Sequence, residues 1–242
     1  MINFFKGFAL AVSMLSIIPF FKIHNFFKGI NGYAVMSYPL VGFLLGLILY
    51  LTHSFLTPYF TPLHVGIIIF AFWVLLTGGL HLDGYSDTID GLFVNKERSL
   101  EVMKDPNTGG MGMIFTVSFL ILKASTLASF NAFYLLPIVM MLSRLNAVLA
   151  IYNYPYVSPN GMSTLAKEEL TKIQVVIAVL YTLILSLMFS TTALILTSLL
   201  SLWLIKSFFI KRYGGFTGDI YGFSIEVTEL VLLNIILLGF GV

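Results

Sequence analysis

Long apolar runs are the feature that most constrains this chain, because each is about as long as the 20 residues a helix needs to span a bilayer. Hydrophobic residues make up 58% of the 242 residues and charged residues only 10%. A water-soluble domain normally carries about 25% charged residues. The sequence therefore predicts an all-α, polytopic membrane bundle forming a single domain over residues 1–242. Eight runs are candidates: Phe4–Phe20, Tyr33–Leu51, Leu63–Leu80, Met113–Phe130, Phe133–Tyr152, Ile173–Ser190, Thr192–Ile210 and Phe223–Phe240.

The first run, Phe4–Phe20, is short and follows a single Lys6. A helix of that kind either crosses the bilayer or lies in its interface. Both alternatives stay open, and they differ only in where the N-terminus lies.

The basic residues alternate between connections. The first, third, fifth and seventh connections carry them, whereas the second, fourth and sixth have no Lys or Arg. Cytoplasmic loops hold the excess of Lys and Arg. We therefore expect a multi-pass protein of the cell (inner) membrane, with the odd-numbered connections in the cytoplasm. The basic residues of the first, third, fifth and seventh connections are, in that order, Lys22 and Lys28; Lys96, Arg98 and Lys104; Lys167 and Lys172; and Lys211 and Arg212.

All eleven acidic residues fall in or beside the third, fifth and seventh connections. One face of the membrane therefore carries the carboxylates, and we expect the active site to face the cytoplasm. The chain has no cysteine, which excludes thiolate metal ligands and cysteine nucleophiles. Oxygen ligands suit hard divalent cations.

The densest acidic segment runs from Thr77 to Gly91 and contains Asp83, Asp87 and Asp90. Spacings of four and seven residues place three carboxylates within roughly 60° of one another on a helix. Because like charges repel, the pattern predicts a divalent cation between them, and Mg²⁺ is the expected ion. A solvated helix end capped by aspartates is the alternative.

A second segment, Glu101–Gly112, combines Lys104 and Asp105 with a turn containing Gly109, Gly110 and Gly112. Backbone amides of a glycine-rich turn before a helix form an anion site. The segment therefore predicts phosphate binding, although such loops are also often simple turns.

The third segment, Gly214–Glu229, mirrors the first, with glycines followed by Asp219, Glu226 and Glu229 as an apolar helix begins. Carboxylates at the mouth of a spanning helix are costly unless they are paired or bind metal. Metal binding is one interpretation, and a salt bridge to Lys211 or Arg212 is the other.

Two cations, Lys123 and Arg144, lie inside predicted spans. Charges within a membrane are functional candidates, and substrate binding or a structural pair with a buried carboxylate would explain each. His81 precedes Asp83 by two residues. It is a candidate proton acceptor for an attacking hydroxyl.

Three ordered motifs resemble the adenosylcobinamide-GDP ribazoletransferase family, also called cobalamin (5′-phosphate) synthase. They read His81-Leu-Asp-Gly-x-x-Asp-Thr-x-Asp-Gly91, Met103-Lys-Asp-x-x-x-Gly109 and Gly215-x-Thr-Gly-Asp-x-x-Gly-x-x-x-Glu226. The intervening apolar helices extend the resemblance over nearly the whole chain.

The resemblance implies that α-ribazole or its 5′-phosphate attacks adenosylcobinamide-GDP, giving adenosylcobalamin or its phosphate and releasing GMP, with Mg²⁺ as cofactor. The net charge of +2 is small and spread over loops beside apolar runs, which favours membrane topology over nucleic-acid binding. The lipid bilayer is therefore the expected environment, and a homo-oligomer stays open. The expected metal ligands are Asp83, Asp87, Asp90 and Asp219, assisted by Glu226 or Glu229. Expected substrate contacts are Lys104, Asp105, Gly109, Gly110, Gly112, Lys123, Arg144, Thr217 and Gly218, and the catalytic candidates are His81, Asp83, Asp87 and Asp90.

Two rival functions remain. A CDP-alcohol phosphotransferase shares the membrane setting and an aspartate-rich helix, but its motif is similar to Asp-Gly-x-x-Ala-Arg, where this chain has Ser86-Asp87. A cation-coupled transporter would use Lys123 and Arg144 as a gate. Transporter sites lie near the bilayer midplane, whereas these carboxylates lie at one edge.

Overall fold

The computed structural model describes residues 2–19, 27–158, 161 and 163–239. Helices dominate this part of the chain, and no extended strand occurs in it. In chain order they are α1 (Ile2–Leu15), α2 (Ile30–Leu56), α3 (Pro62–Leu76), α4 (Leu80–Leu92), α5 (Lys96–Val102), α6 (Gly110–Ala128), α7 (Leu136–Asn153, preceded by a 3₁₀ turn at Phe133–Leu135), α8 (Thr164–Glu169), α9 (Lys172–Met188), α10 (Thr192–Tyr213) and α11 (Gly218–Leu237).

Five described helices are long and apolar enough to cross a membrane, and the bent pair α3 and α4 would make a sixth span. The five are α2, α6, α7 with its 3₁₀ turn, α10 and α11, whereas α1 and α9 are shorter apolar helices. The predicted all-α membrane bundle is confirmed, but a count of eight spans is not. Phe20, Lys22 and Phe240, at or near the ends of predicted runs, lie outside the described residues.

The predicted span Leu63–Leu80 breaks at two glycines. Gly78 and Gly79 have φ angles of 64° and 70°, a left-handed conformation that glycine adopts without steric cost. Helix α3 therefore ends at Leu76, and α4 begins at Leu80 with its axis turned by 83°. Apolarity alone did not show this bend, which turns the first acidic motif away from the direction of α3.

Helix α7 forms the centre of the bundle and packs against α2, α9, α10 and α11. Its side chains at Ile138, Val139 and Met140 are fully buried. In contrast, α9 and α10 present large apolar side chains outward, such as Ile173 and Trp203. An apolar exterior is what a lipid-facing surface requires, so the exposure pattern agrees with the membrane assignment.

Helices α4 and α11 pack closely because glycines lie at their crossing. A Cβ atom on Gly84 would be 2.9 Å from the main-chain oxygen of Asp219, and one on Gly222 would be 3.1 Å from that of His81. Any larger residue at Gly84 would separate the helices. The motifs that contain His81 and Asp219, which are 138 positions apart along the chain, thus meet at this crossing.

Candidate active site

A cavity of about 470 Å³ lies where α4 meets α11. Asp83 and Asp219 line it from the two helices, and Lys104 lines it from the segment after α5. Apolar side chains such as Leu15 and Ile225 complete other parts of the wall. The cavity therefore combines opposite charges with apolar surface, and its volume lies in the range of small-molecule sites.

The four aspartates predicted to act together are neighbours in space. The charges of Asp83, Asp219 and Asp90 all act on Asp87, and Asp83 also acts on Asp219. Asp87 and Asp90 do not line the described cavity wall, whereas Asp83 and Asp219 do. The two acidic motifs thus converge, and Asp83 and Asp219 are the carboxylates that a substrate in the cavity would meet.

The aspartate oxygens are the type of ligand that Mg²⁺ prefers, but fewer of them lie together than a complete protein site would need. Within the described residues, no three His, Asp or Glu side chains are arranged to hold a metal ion. Mg²⁺, however, commonly binds through one or two carboxylates together with water and substrate phosphates. Asp83 and Asp219 satisfy that smaller requirement, and metal binding at Asp83, Asp87, Asp90 and Asp219 stays a prediction.

Asp90 occupies the glycine turn that the sequence predicts as an anion site. The Gly109 amide donates to Oδ2 of Asp90 and the Gly112 amide donates to Oδ1, both at 2.7 Å. A Cβ atom on Gly109 or Gly112 would lie 2.4 or 2.3 Å from the same carboxylate. The turn does bind an anion, but that anion is the Asp90 side chain. Pyrophosphate binding by Gly109, Gly110 and Gly112 stays a prediction without support from these contacts.

Lys104 and Asp105 lie in the exposed segment between α5 and α6. Lys104 lines the cavity, and its charge acts on Asp219. Asp105 Oδ1 instead accepts hydrogen bonds from the amide and the side chain of Asn107, which hold its pKa below the usual range. Lys104 therefore lies at the cavity, whereas Asp105 shapes its own loop, and substrate binding by either residue stays a prediction.

Two buried carboxylates on α11 pair with the two cations inside the bundle. Lys123 Nζ lies 2.8 Å from Glu226 Oε2 and 2.7 Å from Glu229 Oε2. Arg144 forms an ion pair with Glu229 as well. All four side chains are at most 3% exposed. The network is neutral, because two cations face two anions, and neutrality is what makes charges tolerable there.

These ion pairs show which cations pair with the glutamates of α11, a question that the sequence left open. The predicted salt bridge from the α11 acids to Lys211 or Arg212 is wrong, because Lys123 and Arg144 are the partners. Arg212 donates to the main-chain oxygens of Leu92 and Val94. The structural pairing proposed for the two cations is confirmed.

The same pairs bear on the predicted site roles. Lys123 and Arg144 are not among the described residues lining the cavity, so no described contact supports substrate binding by them. Glu226 and Glu229 use their oxygens for ion pairs. Metal binding by these two glutamates stays a prediction that the geometry does not favour.

Thr217 and Gly218 begin α11. The Thr217 hydroxyl accepts from the amide of Ile220 and donates to Asp219 Oδ2, both at 3.2 Å. A threonine in this position satisfies a free amide at the helix start. Gly218 lines the cavity, but Thr217 does not. Thr217 therefore holds the Asp219 carboxylate by a hydrogen bond without lining the cavity itself.

His81 lies on the cavity wall with both ring nitrogens free of hydrogen-bond partners among the described residues. Its side chain is only 4% exposed. A buried polar atom without a partner is rare and calls for an explanation. The ring nitrogens themselves are buried, so contact between His81 and a hydroxyl in the cavity stays a prediction.

Comparison with known proteins decides the family. The model of the family described as cobalamin-5-phosphate synthase matches residues 7–237. The chain belongs to the cobalamin-5-phosphate synthase family. It is similar to proteins named adenosylcobinamide-GDP ribazoletransferase from Desulforamulus reducens, at 36% identity over 97% of each chain, and from Pseudomonas aeruginosa, at 37% identity over 84% of this chain and 85% of the relative. No solved structure matches it significantly.

As a cobalamin-5-phosphate synthase family member, the chain is a transferase that acts in cobalamin assembly. The family resemblance read from the three motifs is thereby confirmed. All three motifs lie at or beside the α4–α11 crossing, since Lys104 from the second shares a cavity with Asp83 and Asp219. The family assignment and the cavity therefore point to one place in the molecule.

Sequence reasoning missed several cavity residues of this family member, among them Tyr156 and Ser158. They lie in an extended segment after α7 that pairs with the start of the third motif. Tyr156 forms a bridge with Phe216, and the Val157 amide donates to the Phe216 oxygen at 2.9 Å. Gly215 permits this approach, because its Cβ would lie 2.4 Å from the Pro155 oxygen. In the sequence, Gly215 is the residue that could have indicated this close approach.

Proposed function

We propose that the chain joins α-ribazole, or α-ribazole 5′-phosphate, to adenosylcobinamide-GDP with the help of Mg²⁺, giving adenosylcobalamin or its 5′-phosphate and releasing GMP. The observation that carries the proposal is the position of Asp83 and Asp219, which line one cavity from two helices with Lys104 beside them. Phosphoryl transfer depends on positioning and on cations near the phosphates. The names of the relatives supply the substrates.

Lys104 would neutralise part of the diphosphate charge of adenosylcobinamide-GDP. Its side chain lines the cavity and lies near Asp219. The apolar wall, including Met14 and Ile151, would hold uncharged parts of the substrate. Positioning of this kind lowers the barrier because the reacting groups no longer have to find each other.

Asp83 and Asp219 would hold Mg²⁺, with Asp87 and Asp90 next to them. When bound, the cation supplies charge neutralisation at the phosphate oxygens and at the leaving GMP. Asp83 from α4 and Asp219 from α11 would hold that charge in the cavity. Thr217 fixes Asp219 through a 3.2 Å hydrogen bond.

His81 would accept the proton of the attacking ribose hydroxyl. Its free ring nitrogens and its place on the cavity wall support this role. A general base must lie within hydrogen-bond reach of the proton it removes. His81 is the described histidine that lines this cavity.

The direct test is GMP release. Purified protein in detergent would be incubated with adenosylcobinamide-GDP and α-ribazole, with Mg²⁺ or with EDTA. We expect GMP and adenosylcobalamin in equal amounts with Mg²⁺ and neither with EDTA. Equal turnover in both samples would refute the metal requirement, and no turnover in either would refute the substrates.

Location and orientation belong to the same proposal. The Lys and Arg distribution favours the cell (inner) membrane with the acidic cavity facing the cytoplasm. Labelling of Lys104→Cys in intact cells and in inverted vesicles would check it, because the natural chain has no cysteine. Labelling from outside in intact cells would contradict the orientation.

Transport is the less supported function. A gate formed by Lys123 and Arg144 needs cations that can change partners, yet both are paired with buried glutamates. Proteoliposomes would separate the two functions. Solute accumulation without GMP release would favour transport over transfer.

A further inference from the structure

A second cavity, of about 590 Å³, lies along another face of α4, between α4 and α6. We call it the α4–α6 groove. Its walls are mainly apolar, and it opens outward beside Met113 and Val117, which are 58% and 50% exposed. Since α6 is long and apolar enough to span a membrane, the groove opens toward lipid. Its lining is Gly78, Gly79, Leu80, Leu82, Asp83, Ser86, Thr108, Met113, Thr116, Val117 and Leu120.

Asp83 lines both the α4–α6 groove and the cavity between α4 and α11. Leu80 also lines both spaces, so the groove and the cavity adjoin along this part of α4. A ligand in the groove and another in the cavity would bring their ends together at Asp83. A reaction between two substrates needs such a meeting point.

Two residues that line the groove carry hydroxyls without partners. The hydroxyls of Ser86 and Thr116 are buried and make no hydrogen bond among the described residues, and Ser86 is only 6% exposed. Buried hydroxyls without partners are costly. A ligand with a hydrogen-bonding atom and an otherwise apolar body would satisfy them.

The charge of the groove narrows the class of ligand. Asp83 is its sole charged side chain among the described lining residues, and no Lys or Arg lies there. Phosphate groups therefore belong on the Lys104 side of α4, in the cavity. The groove suits an uncharged, flat, apolar group.

We propose that the α4–α6 groove binds the aromatic base of the acceptor nucleoside. This inference rests on the proposed function. A benzimidazole base has apolar edges and one ring nitrogen free to accept a hydrogen bond, because ribose occupies the other. The Ser86 or Thr116 hydroxyl donates to that nitrogen, and the ribose lies at Asp83.

The test separates this inference from the proposed function. Wild-type protein is first shown to release GMP from adenosylcobinamide-GDP and α-ribazole, which tests the function alone. Then Val117→Trp, which fills the groove, is compared with Ile121→Trp. Ile121 lies one turn further along α6, is 65% exposed and does not line the groove.

For Val117→Trp we expect KM for α-ribazole to rise about tenfold while KM for adenosylcobinamide-GDP stays unchanged. Ile121→Trp should change neither KM. Ser86→Ala, a smaller change, should raise KM for α-ribazole in the same selective way. Those results would support the subsite.

Two outcomes would overturn it. Unchanged KM for α-ribazole in Val117→Trp would show that the base does not bind in the groove. A selective rise in KM for adenosylcobinamide-GDP would assign the groove to the other substrate. If Val117→Trp fails to fold, as judged by thermal unfolding in detergent, the Ser86→Ala and Thr116→Val variants decide by the same KM comparison.

Discussion

Lys123 Nζ lies 2.7 Å from Glu229 Oε2, although the two residues are 106 positions apart and both side chains are buried. The ion pair joins α6 to α11, and Arg144 joins α7 to the same glutamate. Three helices therefore share one neutral cluster. Trp73 of α3 covers it, with its ring centre 4.2 Å from Lys123 Nζ.

Removing Lys123 should destabilise the protein strongly. In Lys123→Met, Glu226 and Glu229 lose their shared cation, and breaking a buried pair by removing one partner costs about 3–5 kcal/mol. Thermal unfolding in detergent would show a large fall in midpoint. The control is Lys172→Met at the exposed start of α9. Equal midpoints for the two variants would contradict a stabilising network.

The double variant Lys123→Met with Glu226→Gln should recover part of that loss. It removes one unpaired charge, while Arg144 still neutralises Glu229. A midpoint above that of Lys123→Met is expected. A midpoint below it would mean that Glu226 contributes stability independently of Lys123.

Gly112 should tolerate no side chain, whereas Gly110 should. A Cβ on Gly112 would lie 2.3 Å from Asp90 Oδ2, but one on Gly110 meets nothing within 4 Å. Gly112→Ala should therefore displace the Asp90 carboxylate and lower both stability and GMP release. Gly110→Ala should be neutral or stabilising by about 0.4–1 kcal/mol, since alanine at a compatible position leaves the unfolded chain fewer conformations than glycine does.

Activity and unfolding midpoint measured on the two alanine variants would check this. A harmless Gly112→Ala would mean that the hydrogen bonds from the Gly109 and Gly112 amides to Asp90 are dispensable. A damaging Gly110→Ala with an unchanged midpoint would instead point to close approach of substrate at that glycine, as the sequence predicted.

Much of this arrangement could be predicted from the sequence, because it rests on local patterns. Apolar runs predict the helices, and the spacing of Asp83, Asp87 and Asp90 predicts their shared face. A family resemblance carried by three motifs indicates that distant segments serve one function. These signals need no knowledge of which helix packs against which.

The rest depends on long-range pairing. Nothing in the sequence around Lys123 shows that its partners lie 103 and 106 residues later. The Asp90 carboxylate and the Gly109 amide likewise meet only after α5 folds back. The bend at Gly78 and Gly79 was visible as two glycines, but its 83° angle is set by packing.

Asp219→Asn should abolish most activity without unfolding the protein. The change keeps the shape of the side chain and removes one of the two carboxylates lining the cavity. Loss of an electrostatic contact made at the reacting phosphate costs about 100-fold in kcat. The Mg²⁺ concentration for half-maximal rate should rise too. Glu97→Gln, on the exposed side of α5, is the control, and equal rates for both would exclude Asp219 from the site.

A pH-dependent contact joins the start of α2 to α8, a short helix outside the spans. Glu169 Oε2 accepts hydrogen bonds from the amide and from the side chain of Asn31, each at 2.9 Å. Burial by itself raises the pKa of Glu169. Hydrogen bonds from Gly29 and Asn31, with the charge of Lys28, outweigh that effect and lower the pKa below its usual range.

A lowered pKa means that Glu169 stabilises the fold as an anion. This contribution is complete above the pKa of the unfolded chain and disappears as the pH falls through the lower pKa of the folded state. Glu169→Gln should therefore unfold at a lower temperature than wild type at pH 7, by an amount equivalent to roughly 1 kcal/mol, typical of a side chain capping a helix start. The difference should shrink as the pH falls through the lowered pKa of Glu169. The neighbouring, exposed Glu168→Gln is the control, and a Glu169→Gln deficit that persists at low pH would show that the hydrogen bonds, rather than the charge, hold α2 and α8 together.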